Sequence, residues 1–277
     1  MTRLRATVIF PVMSALISGS RIAVPREDSG HGSGSDGSPV TSSMLLTYFH
    51  AMSLAHGPMN WWPARTPFEV VLGAILTQNT AWTNVERAIA NLRAAKMLTP
   101  SAISAARLSR LAALIRPSGY FRQKAKKLKA FVQFLDKEYA GSLKRMFDTP
   151  TAVLRERLLS VHGIGPETAD SILLYAGNHP VFVVDAYTHR IFGRHGITDG
   201  KPAYEHVRAL FENMLPHDPQ LFNEFHALIV NTGKNWCRKK APRCTECPLA
   251  PLLPPDSPLS QSLVAMQGRP STGSKPA

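Results

Sequence analysis

Cysteine is scarce in this chain: there are three, at Cys237, Cys244 and Cys247. An odd, closely spaced set argues against a disulfide framework and fits a reduced compartment. Acidic residues are also few. Nineteen Asp and Glu face 32 Lys and Arg, a formal net charge of +13 over 277 residues. That surplus disfavours an enzyme of small neutral metabolites and points to a polyanion, nucleic acid first. The plainer readings are a solvated basic surface or a membrane-surface protein. No apolar run reaches the ~18 residues that span a bilayer. Convincing period-two alternation and internal repeats are missing too.

What is present reads as helix after helix. Hydrophobic residues make up 44% of the chain, enough for a real core. Pro67 opens a periodic run to Leu76. Val85, Ile89 and Leu92 share a face in 84–92, and another helix runs from Ser101 through Leu114. Arg116-Pro117-Ser118-Gly119 breaks the pattern. An amphipathic helix follows at 123–139, then one at 151–159 and one at 167–176. Val181–Val184 is apolar but short, and is expected to be a buried loop rather than a strand. The fold class is therefore all-α, with two helical lobes and a groove between them. Residues 1–43 are expected to be a disordered extension, rich in Gly, Ser and Asp at 27–43, or a start placed too far upstream with Met44 as the true start. The folded domain is expected at 44–253 and a Pro/Ser-rich disordered tail at 254–277.

Residues 162–185 carry the most chemistry. His162-Gly163-Ile164-Gly165-Pro166-Glu167-Thr168-Ala169-Asp170 places a glycine hairpin between two helices. Such glycines let backbone N–H groups approach a phosphate, with φ > 0 expected at both, and the next helix start adds partial positive charge. The plain alternative is an ordinary tight turn. About twenty residues on, Val183-Val184-Asp185 presents one carboxylate. Cleaving an N-glycosidic bond develops positive charge on the sugar, which a carboxylate stabilises while it orients or deprotonates a water. Asp185 could instead merely cap the helix that follows. Arg122–Lys129, with Lys124 and Lys126, and Lys234 with Arg238–Arg243 are candidate basic surfaces. If they face one groove, binding weakens steeply with salt.

This ensemble resembles the helix-hairpin-helix, Gly/Pro-rich, Asp signature of the endonuclease III superfamily of DNA glycosylases. Trp61-Trp62-Pro63, Leu76-Thr77-Gln78-Asn79-Thr80, Arg116–Tyr120, Gln123–Lys126, Ala169–Ala176 and Val183–Asp185 occur in order and resemble its 3-methyladenine DNA glycosylase III branch. The resemblance implies a middle lobe at about 78–190, with the other lobe formed by the N-terminal helix and the C-terminal segment. It implies Asp185 as the catalytic carboxylate and a base pocket of Trp61, Trp62, Pro63 and Trp82, although core packing is the other reading of these tryptophans. DNA contacts are implied at Gln78, Asn79, His162, Gly163, Ile164, Gly165 and Thr168. The family's bifunctional members carry a lysine nucleophile two residues after the second hairpin glycine. Here that position is Glu167, so a monofunctional enzyme is expected. Lys124 and Lys234 are the remaining amines that could reach the sugar.

The cysteines depart from the family pattern. A [4Fe–4S] cluster there takes four thiolates spaced C-x6-C-x2-C-x5-C. Cys237, Cys244 and Cys247 match three, and the fourth position is Leu253. An incomplete iron–sulfur cluster, a metal-free vestige, and zinc with a histidine such as His226 all stay open at this point.

The expected function is base-excision repair of double-stranded DNA with damaged bases, alkylated purines such as 3-methyladenine in particular. The expected protein is a monomer, cytoplasmic and associated with the nucleoid. Arg3 and Arg5 before the apolar stretch 6–17 outline a signal peptide, but the rest reads as intracellular machinery. The alternatives are an endonuclease III-like glycosylase for oxidised or mismatched pyrimidines, and a non-catalytic lesion-binding protein.

Overall fold

A computed structural model describes residues 40–59, 61–62, 64–200, 202–255, 257 and 259. The expectations for 1–39, for Pro63 and for most of the tail lie outside the described residues. Among the described residues there is no strand. The helices are α1 (Ser42–His56), α2 (Pro67–Leu76), α3 (Trp82–Ala94), α4 (Pro100–Ala105), α5 (Leu108–Leu114) and α6 (Phe121–Tyr139), followed by α7 (Leu143–Phe147), α8 (Thr151–Leu159) and α9 (Pro166–Ser171). A π-helical turn, Ile172–Ala176, extends α9, and α10 (Ala186–Arg194), α11 (Tyr204–Met214) and α12 (Pro219–Asn235) complete the set.

Local chemistry sets these boundaries. Thr66-Pro67, Thr99-Pro100 and Asp218-Pro219 each combine a side-chain N-cap with a proline in the first turn. The cap oxygen accepts an otherwise orphaned N–H, and proline gives up only a donor that the helix start does not need. Thr41 caps α1 through the Met44 N–H, so the first helix begins ahead of position 44.

Two cores form. The first gathers buried residues from Phe68 to Val181, centred on α2, which is buried at every position after Pro67. The second joins α1 to α10, α11 and α12 through Phe182–Val184, with Cys237 and Leu249 added. Helix α2 faces inward on all sides and must be enclosed, whereas Ile191 and Phe192 of α10 pack into the second core. Val181–Val184 is a buried loop, as its sequence implies. Phe182 stacks on Phe211 at 4.0 Å between ring centroids.

One polar joint ties the lobes together. Asp170 of α9 is fully buried and takes two bonds from Arg155 of α8, at 2.7 and 3.1 Å. The Tyr204 hydroxyl of α11 donates to it at 2.8 Å, and Arg155 continues to Glu205 at 2.6 Å. Removing Asp170 leaves a largely buried guanidinium with only the half-exposed Glu205 as its partner and strands the Tyr204 hydroxyl. Asp170→Ala is predicted to cost about 3–5 kcal/mol of stability, read as a lowered midpoint in denaturant. A loss under 1 kcal/mol, on the scale of an exposed ion pair, would contradict the assignment.

Candidate active site

Both cores wall a cavity of about 920 Å³. Asp185 stands on its wall as the N-cap of α10, so both sequence readings of this residue meet in one side chain. Its Oδ1 accepts from the N–H groups of Tyr187 and Thr188, each at 2.8 Å, and from the Thr188 hydroxyl at 3.1 Å. Its Oδ2 lies 3.6 Å from Nε2 of His226 on α12. Burial alone would raise this carboxyl. The imidazole of His226 and the bonds from Thr188 outweigh it and hold Asp185 below the ordinary carboxylate range.

Glu167 lines the same cavity. Its side chain keeps solvent access, yet the walls around it and then the charge of Asp185 push its carboxyl up, against an opposing effect of His226. Two carboxylates with opposite tendencies therefore share the cleft. The Tyr175 hydroxyl bonds to Nδ1 of His226, and burial holds that phenol well above its usual range.

The hairpin spans 160–165 between α8 and α9. Gly163 has φ +83°, and a Cβ there would sit 2.4 Å from the Lys127 side chain. Gly165 differs from expectation: its φ is −98° and nothing lies where a Cβ would go. Only the first glycine is demanded by backbone conformation. Ile164 is 5% exposed and belongs to the first core, so its side chain anchors the hairpin rather than meeting DNA. His162 is exposed. Gln78 donates to the Gly163 carbonyl at 3.0 Å and to the Thr168 hydroxyl at 2.9 Å, and accepts from Lys127. It fastens the hairpin to α6, its amide committed within the protein. Asn79, at φ 53°, is exposed at the cavity edge.

Trp61, Trp62 and Trp82 all line the cavity. Trp62 meets Trp82 edge-on at 4.9 Å and Tyr175 at 5.0 Å. Helix α2 carries Gly73 beneath it, where a Cβ would come within 2.9 Å of the indole. The Lys234 ammonium sits 5.6 Å from the Trp61 ring centroid. Trp236 stands apart, stacked on His56.

Lys124 is not a DNA contact. It is 2% exposed, and its Nζ donates to the carbonyls of Leu76 at 2.8 Å and Ser118 at 2.7 Å. Burial first, then Lys127, brings it down to about 8. It closes the exposed carbonyl end of α2 and is spent there, which also removes it as the amine of a lyase. Lys126 is exposed on the outer face of α6. The lysine that reaches the cavity from this helix is Lys127, which the sequence did not single out.

The three cysteines, Leu253 and His195 line a separate cavity of about 10 Å³, room for one water at most. His226 lines the large cavity instead, which removes it as a partner of the cysteines. Burial pushes the Cys247 thiol up to about 11 and Cys244 in the same direction. The fourth position supplies only hydrocarbon, so this set does not fit a four-thiolate cluster. Among the described residues no three His, Cys, Asp or Glu side chains converge as metal ligands. Arginines hold the loop: Arg190 Nε donates to the Cys237 carbonyl at 2.6 Å, and Arg194 Nη1 to the Cys237 sulfur at 3.2 Å and the Arg238 carbonyl at 2.8 Å.

Residues 72–217 match the HhH-GPD superfamily of base excision DNA repair proteins, and the chain belongs to that family. A provisionally named DNA repair glycosylase of Methanocaldococcus jannaschii is 49% identical over 208 residues, covering 74% of this chain and 94% of its own. Endonuclease III of Thermotoga maritima is 31% identical over 181 residues, covering 65% and 79%. Among solved structures, the H. pylori 3-methyladenine DNA glycosylase bound to 1,N6-ethenoadenine superposes with a TM-score of 0.60 at 32% identity, covering 70% of this chain and 98% of that one. A non-covalent endonuclease III–DNA complex has the same fold, with a TM-score of 0.68 at 22% identity over 82% and 99%.

Proposed function

We propose that this protein is a monofunctional DNA N-glycosylase that removes alkylated purines from double-stranded DNA. The observation that carries the reading is a depressed carboxyl, Asp185, in an aromatic-walled cleft whose lysine position holds Glu167. A base must leave the duplex stack to be cut, and the cleft formed by Trp61, Trp62 and Trp82 offers it stacking faces. Alkylation at N3 makes adenine cationic, and a cation on an aromatic face gains roughly 0.5–2 kcal/mol. The cationic base is already a good leaving group, so the glycosidic bond breaks with its electrons returning to the base nitrogen. Asp185 stabilises the positive sugar, and water supplies the oxygen at C1′ while the carboxylate takes its proton. No step needs a metal. The hairpin at Gly163 and Gly165, His162, Asn79 and Lys234 would hold the backbone of the damaged duplex, contacts that position without reading sequence. We further read the protein as a monomer acting on DNA in the cytoplasm.

Similarity to the H. pylori 3-methyladenine glycosylase supports the alkylpurine reading. Identity to Thermotoga endonuclease III favours a pyrimidine lesion as the second one. Chromatography of bases freed from methylated duplex DNA separates them. Release of 3-methyladenine ahead of 7-methylguanine is expected. No methylated base released, with activity on oxidised pyrimidine, would replace the first reading by the second. No release from either would point to a lesion-binding protein.

A further inference from the structure

Asp185 is held through one oxygen. Oδ1 takes three bonds, all from the start of α10. Among the described residues no hydrogen bond reaches Oδ2, and Nε2 of His226 waits 3.6 Å away. That Nε2 is buried and without a hydrogen-bond partner, although His226 is only 6% exposed. A buried ring nitrogen left unpaired is costly and calls for an account.

The other ring nitrogen supplies one. Nδ1 of His226 bonds to the Tyr175 hydroxyl. Two tautomers satisfy that bond. If Nδ1 carries the proton, Nε2 turns a lone pair toward a carboxylate oxygen, and the contact is repulsive. If the tyrosine donates, Nδ1 accepts and Nε2 carries the proton toward Oδ2. Buried beside Asp185 and Glu167, the phenol keeps its proton and stays available as that donor.

We propose that Tyr175 and His226 form a relay that fixes the Nε2–H tautomer and holds Oδ2 of Asp185 ionised and aimed into the cleft. Both are positioning residues: they act through Asp185, and the inference rests on reading Asp185 as the catalytic carboxylate. At 3.6 Å the two atoms stand just outside hydrogen-bond range, a gap of the kind that closes when substrate completes a site. Trp62 packs on the Tyr175 ring, so the base pocket and the relay share a wall.

The ionisable groups around Asp185 set the sign of the test. They are His226 from α12, Glu167 from α9, Tyr175 from the π-helical turn and Tyr187 from its own helix, with Lys127 and Lys234 on the cavity wall. Without the imidazole, only the bonds from Thr188 still oppose burial, and the carboxyl titrates at higher pH.

The experiment is single-turnover base release by the full chain across pH, using a duplex with one alkylated adenine. Tyr175→Phe and His226→Ala are each expected to lower the rate roughly 10- to 100-fold, the scale of losing a residue that orients a reacting group. The acid limb of the profile should move to higher pH, with affinity for the duplex unchanged. His226→Gln keeps an N–H donor of similar reach and should recover part of the loss. An acid limb that stays in place in both Tyr175→Phe and His226→Ala would overturn the relay, including the case where thermal stability falls and explains a lower rate. Asp185→Asn separates the two ideas. If that variant releases base normally, the reading of Asp185 fails. If it is dead while the tyrosine and histidine variants keep the wild-type profile, only the relay fails.

Discussion

Asp185→Asn should stop base release while leaving the fold and DNA binding intact. Asparagine is as good an N-cap as aspartate, and its carbonyl can still accept from Tyr187 and Thr188. What disappears is the negative charge facing the sugar as it turns cationic. Loss of one preorganised electrostatic partner costs on the order of 10²–10³ in rate, about 2.7–4 kcal/mol. Single-turnover release from a one-lesion duplex, beside a binding isotherm for the same duplex, gives both readouts. A rate within a few-fold of wild type would remove Asp185 from the chemistry. A rate loss matched by lost binding would make it a structural cap and nothing more.

On the proposed monofunctional reading, Glu167→Lys should confer a strand-nicking activity. Position 167 lies in the cavity, close enough to Asp185 for its charge to be felt. An amine there can displace the base at C1′ in place of water; loss of its proton and opening of the sugar ring at the C1′–O4′ bond then leave a Schiff base. Borohydride reduces that imine to a stable protein–DNA adduct. The wild-type protein is predicted to form no adduct, and the variant to form one and to nick DNA without alkali. Adduct with the wild-type protein would show that another amine already reaches the sugar, with Lys127 and Lys234 the first to replace. A folded variant that releases base but traps nothing would mean that position 167 does not face the reacting carbon.

Much of the fold could be read locally. The Thr-Pro and Asp-Pro starts gave their own caps, and the hairpin announced itself through glycine and proline. What the sequence hid was direction. Lys124 sits in a run of lysines that reads as a solvated face, yet it is one turn before Leu128 and in register with Phe131 and Leu135, all buried. That spacing marks the inner face of α6, and it was the available signal. Ile164 between two glycines was likewise a core residue in a loop whose backbone drew the attention. Tyr175 and His226 are another matter. They are 51 residues apart, on elements whose periodicity says only that they are helical. Their meeting beside Asp185 depends on how the second core packs α12 against α10. No local pattern encodes that.

The most direct measurement is made on the wild-type protein with a duplex carrying a single 3-methyladenine analogue, each sample split and run on a denaturing gel with and without alkali. The account predicts intact strands without alkali and cleavage at the lesion after it, the mark of an abasic site left by hydrolysis alone. Cleavage before alkali would contradict it, since an amine and not water would then have taken the sugar.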